Sequence, residues 1–104
     1  MSMLEKRTHK RVRVNMKVAY RDYAHAYRIG LVCDISKGGM YMQTRDMPEV
    51  DGNMIASLDA EDFGKIILVQ GQVVWKTRSG LGIKFTKTDE KGLNNILSYR
   101  RVTF

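Results

Sequence analysis

The stretch KRTHKR, residues 6–11, places four cations and a histidine in six positions. Arg7 and Arg11 are separated by three residues. Taken alone, such a cluster serves as a solvated basic tail, a loose nucleic-acid patch, or half of a specific anion site. A second stretch, DISKGG at residues 34–39, carries different chemistry. Asp34 and Ser36 are two apart at the end of a strand pattern, so both side chains are expected on one side of the strand, opposite Cys33 and Ile35. The carboxylate only accepts hydrogen bonds, whereas the hydroxyl both donates and accepts. Gly38 and Gly39 permit a tight turn and close approach of a ligand to the backbone. The competing reading is a turn held by its own Asp and Ser side chains, which suffices to explain this stretch in isolation.

The elements that must position these residues are strands. Val12, Val14, Met16, Val18 and Tyr20 alternate with Arg13, Asn15 and Lys17, which predicts a half-buried strand over 12–20. Tyr27, Ile29, Leu31, Cys33 and Ile35 predict a second over 27–35, joined to the first by a hairpin connection at 22–26. SKGG is a turn, and MYMQT continues as a short strand. Residues 45–53 read as a loop with the single proline, Pro48. Met54, Ala56 and Leu58 are in phase for a further strand. Residues 65–76 give one long strand or two short ones, with Ile67, Val69, Val73 and Trp75 on one face and Gly71 marking a bulge. After the turn TRSG, Leu81, Ile83 and Phe85 alternate again. Leu93, Ile96, Leu97 and Arg100 then change to helical period, with Thr88 or Asp89 as N-cap. Gly92 and two asparagines weaken that helix. About six antiparallel strands and a terminal helix point to a mainly β fold, a small closed barrel that leaves no exposed sheet edge.

The chain has 104 residues and is 43% hydrophobic, the size and composition of one ordered domain. Its formal net charge of +7 favours an anionic partner: nucleic acid, nucleotide, anionic lipid or acidic protein. A single cysteine, Cys33, forms no intramolecular disulfide, which suits a reducing, cytoplasmic setting. No apolar run reaches the length of a membrane span, and the first residues lack an apolar signal core, which argues against secretion.

Several residues are set aside. Ser36, Asp34 and His9 or His25 do not have the context of a catalytic triad, so the chain does not read as an enzyme. Two histidines and one cysteine without ligand spacing argue against a metal site. No cofactor is expected. Cys33 and Trp75 read as core residues, and the seven methionines as core filler and start-region residues. Arg100 and Arg101 suit a helix C-terminus.

The order of these motifs resembles the PilZ domain family. The family carries R-x-x-x-R near its start and [D/N]-x-S-x-x-G after the second strand, here Arg7–Arg11 and Asp34, Ser36 and Gly39. Trp75 followed by GLGIKF is similar to the closing hairpin of that family. The likeness runs from Lys6 to about Phe85. It implies a six-stranded antiparallel β-barrel with a short C-terminal helix, divided into an arm at 1–11 bearing R-x-x-x-R and a barrel at 12–104. It also implies a bacterial receptor for the second messenger cyclic di-GMP. Carried over by position, Arg7 and Arg11 contact phosphates and guanine edges, Asp34 and Ser36 read guanine donors, and Gly39 shapes the turn, with Gly38 beside it. His9 and Lys10 lie within the first motif and add candidate phosphate contacts. Lys6 stands where the family position bears on whether one dinucleotide or a stacked pair binds, and a cation there suits the pair.

The chemistry agrees with that implication. A guanidinium bonds phosphate or the guanine O6/N7 edge with two parallel donors and stacks on a base. An Asp carboxylate suits the N1–H and N2–H donors of guanine. A basic arm held only through the following strand would be mobile when empty and ordered by ligand. With no output domain of its own, such a receptor would signal through a partner protein. Two alternatives remain: a basic barrel that binds single-stranded nucleic acid, with Tyr20, Tyr23, Tyr27 and Tyr41 as stacking surfaces, and a PilZ-like interaction protein that binds no ligand.

Overall fold

The computed structural model describes residues 11–22, 26–44, 52–60 and 65–102. Six strands precede one helix: β1 (Val12–Arg21), β2 (Arg28–Ile35), β3 (Gly39–Gln43), β4 (Asn53–Ala60), β5 (Lys65–Lys76), β6 (Gly80–Thr88) and α1 (Glu90–Val102). They close into an antiparallel barrel in the order β1-β2-β3-β6-β5-β4, with β4 returning to β1. Closure pairs the backbone of every strand on both sides and removes the free edges that invite aggregation.

Strand alternation builds the interior. In β1, Val12, Met16, Val18 and Tyr20 are buried while Arg13, Asn15 and Lys17 face solvent. Met54, Ala56, Leu58 and Ala60 of β4 do the same, as do Ile67 and Val69 of β5 and Leu81 and Ile83 of β6. Met16, Met40, Met42 and Met54 all lie in this core. Their unbranched side chains fill the irregular space between curved strands. The expected break at Gly71 is present, since the β5–β6 register shifts between Gln70 and Gly71.

β2 departs from its predicted phase. Tyr27 and Ile29 are 56% and 68% exposed, Leu31 and Cys33 are half-buried, and the buried residues are Val32 and Ile35. The cause is a bulge: the β2–β3 register shifts between Val32 and Asp34, leaving Cys33 as the extra residue. An extra residue exchanges the inward and outward positions of a strand. Before the bulge, Gly30 and Val32 face inward. A Cβ on Gly30 would lie 3.3 Å from the Tyr20 ring, which occupies that space instead. Cys33 is therefore a bulge residue and not a core residue.

The terminal helix forms as its period requires. Leu93 and Ile96 are buried, Leu97 nearly so, and all three join the barrel core. Asp89 is the N-cap: its Oδ1 accepts the Gly92 N–H at 3.1 Å. Thr88 remains the last residue of β6.

Candidate functional site

The β1–β2 register brings the two motifs together. Val12 pairs with Ile35 and Arg13 with Asp34, so Arg11, one residue before β1, lies beside the end of β2. There the Arg11 guanidinium donates to Asp34 Oδ1 in a half-exposed ion pair. Lys6, Arg7, His9 and Lys10 lie outside the described residues, as does the rest of the arm before Arg11.

Ser36 sits at the centre of the β2–β3 turn and is buried. Its N–H donates to the Gly39 carbonyl at 2.8 Å. Its Oγ accepts the N–H groups of Gly38 and Gly39 at 3.2 and 3.3 Å. β2 ends at Ile35, so its alternation does not extend to Ser36, and Asp34 and Ser36 diverge: Ser36 turns inward while Asp34 stays half-exposed. The self-stapled turn read from DISKGG is thus present, and it shapes a surface. Gly39 is required for space: a Cβ there would stand 2.2 Å from the Ile83 carbonyl oxygen. The Phe85 N–H donates to the Gly38 carbonyl at 2.8 Å and pins the turn to β6.

Against this turn lies a groove of about 350 Å³ lined by Arg11, Ser36, Gly38, Gly39, Trp75 and Lys84, among others. Asp34 stands outside it, in an adjoining depression with Arg13 and Asn15, and reaches it through Arg11. Arg11 and Lys84 give the groove two cations, and among the described residues no carboxylate lines it. Such a lining attracts an anion.

Trp75 is the main residue that sequence reasoning misplaced. It is not a core anchor but is 47% exposed on the groove wall. A register shift between Val73 and Trp75 turns it outward. Its ring stacks on Tyr41, with centroids 5.4 Å apart and planes 12° apart. Tyr41 on β3 and Trp75 on β5 both pair with Gly82 on β6 between them. The two rings meet above that glycine, where a Cβ would lie 2.2 Å from the indole. The sequence signal was an aromatic residue at the end of a strand opposite a glycine-rich one, GLG. Lys84 and Phe85 also join the groove and were not singled out for it.

Among the described residues, no group of three or more His, Cys, Asp or Glu could hold a metal ion. No described helix is long and apolar enough to cross a membrane.

A search of the curated proteins finds no match. The family profile described as PilZ domain matches residues 5–100, which includes both motifs and the barrel. With that match over nearly the whole length, the chain belongs to the PilZ domain family, in general a family of cyclic di-GMP receptors that bind a ligand and perform no catalysis.

Proposed function

We propose that this chain is a cytoplasmic receptor for cyclic di-GMP that orders its N-terminal arm on binding and signals through a partner protein. The observation that carries this reading is the Arg11–Asp34 pair at the mouth of a cationic groove floored by the Ser36–Gly39 turn. In the free protein each group satisfies the other. A cyclic dinucleotide offers a replacement for both, with phosphate oxygens for the guanidinium and a guanine N–H edge for the carboxylate. Exchange of partners leaves neither charge unpaired, which keeps the cost of opening the pair low.

The remaining roles follow from position. Arg7 supplies the second guanidinium from the arm, with His9 and Lys10 as further phosphate contacts and Lys6 favouring a stacked pair of dinucleotides over one. Gly38 and Gly39 let a ligand approach the backbone, and Ser36 holds the turn that presents them. The exposed face of Trp75 supplies a flat stacking surface for a base.

Trp75 is the single tryptophan, so its fluorescence reports on this groove alone. Titration with cyclic di-GMP is expected to change its emission saturably, whereas GMP at the same concentration leaves it unchanged. A saturable response to oligonucleotides that weakens steeply with salt, with none to cyclic di-GMP, would support the single-stranded nucleic-acid reading instead.

A further inference from the structure

A second groove, of about 890 Å³, opens at the other ends of β2 and β3. It takes residues from the start of β2, the end of β3 and the turn between β5 and β6, and shares no lining residue with the first. The inverted phase of β2 creates it. The bulge at Cys33 turns Tyr27 and Ile29 outward, to 56% and 68% exposure, with half-buried Leu31 beside them. Apolar groups this exposed and this close together on a small domain mark a contact surface more often than a solvated face.

The rim is cationic. Arg78 is exposed on the β5–β6 turn, and the Arg21 guanidinium lies 5.4 Å above the centre of the Tyr27 ring. Among the described residues no carboxylate lines the groove, and Asp22, close by in sequence, is buried and already partnered. The floor is fixed in place: the Thr44 N–H donates to the Ser79 carbonyl at 3.0 Å, tying the end of β3 to the turn.

From apolar walls, cationic rim and closed strands, we infer that this groove docks an acidic segment of another protein, with apolar side chains on the Tyr27–Ile29–Leu31 wall and carboxylates on Arg21 and Arg78. Recognition runs through side chains, because Tyr27 and Ile29 present theirs to solvent with half-buried Leu31 beside them. Tyrosine and arginine are the residue types that carry the most energy at such contacts. A nucleic acid would stack on Tyr27 but leave Ile29 and Leu31 unused, and its backbone would need a longer cationic track.

The test uses the full chain and a synthetic peptide of three Asp-Leu-Glu-Phe repeats, followed by amide chemical-shift mapping. The expected shifts fall on Ile29, Leu31, Gln43 and Ser79. Arg78→Glu is expected to weaken the peptide at least about fivefold, as loss of a buried interface arginine does. Lys65→Glu, an equal charge change at the far end of β5, leaves binding as it was. Ile29→Asp weakens binding as Arg78→Glu does. The inference is overturned if the acidic peptide does not bind or shifts residues elsewhere. It is also overturned if a neutral Asn-Leu-Gln-Phe version binds equally well, or if Lys65→Glu weakens binding as much as Arg78→Glu. Shifts at the same residues produced only by phosphatidylglycerol vesicles or by an oligonucleotide contradict it too.

Discussion

The guanidinium of Arg11 and the carboxylate of Asp34, twenty-three residues apart in sequence, meet where β1 begins and β2 ends. Each side chain keeps about a third of its surface exposed, 35% and 30%. A pair so open to water contributes about 1 kcal/mol or less to stability. Asp34→Ala is therefore expected to leave thermal unfolding nearly unchanged. Its effect on cyclic di-GMP should be large, at least about tenfold, because a charge-assisted bond to a guanine edge is worth about 1.5–3 kcal/mol. Unfolding curves and calorimetry on one variant separate the two effects. A large loss of stability with unchanged affinity would make the pair structural.

Gly39→Ala is expected to do the reverse of a surface change. The added carbon would meet the Ile83 carbonyl, part of the backbone of a paired strand, so β3 or β6 must shift. Forcing atoms into such a closed space costs about 1–3 kcal/mol. Urea denaturation measures this directly, and an unchanged midpoint would show that the two strands have room to separate.

The Tyr41–Trp75 stack predicts a pattern across three substitutions. Trp75→Phe keeps a ring for a base, whereas Trp75→Ala removes it, and an aromatic pair is worth about 0.5–1.5 kcal/mol beyond its buried area. Gly82→Ala leaves both rings in the chain but pushes the indole off β6. Dinucleotide affinity should therefore fall for Trp75→Ala and Gly82→Ala and be largely kept by Trp75→Phe. Equal affinity for all three would remove Trp75 from the binding surface.

Tyr20 is fully buried, and its hydroxyl shares a 2.6 Å hydrogen bond with Thr44 Oγ1. Tyr20→Phe keeps the ring over Gly30 and removes this buried hydrogen bond. The expected cost is about 0.5–1.5 kcal/mol. Dinucleotide affinity should not change, because neither residue lines the first groove. A stability loss near zero would show that the pair is replaceable.

The fold was legible wherever one period held from end to end. β1 and β4 alternate without interruption at their buried ends, and the helix announces itself through Leu93, Ile96 and Leu97 behind the Asp89 cap. The errors came at bulges. Cys33 and Trp75 both follow unbroken apolar alternation, but Cys33 is itself the extra residue of one bulge, and Val74, the extra residue beside Trp75, reverses the indole. Apolar content cannot reveal such a reversal when both faces of the strand carry apolar residues, as Ile29, Leu31 and Val32 do in β2. The site was legible in its parts, because Arg11, Asp34, Ser36 and Gly39 announce themselves by type and spacing. Its walls were not, since Trp75 and Lys84 reach the groove only through pairing across β3, β6 and β5.

The central claim is that two arginines and the β2–β3 turn bind cyclic di-GMP, and calorimetric titration of the full chain beside an Arg7→Ala, Arg11→Ala double variant tests it most directly. The unaltered chain is expected to bind saturably, with a stoichiometry that distinguishes one dinucleotide from a stacked pair. The double variant is expected to lose most of this affinity while its unfolding midpoint stays the same. Binding of undiminished strength in the folded double variant would contradict the claim.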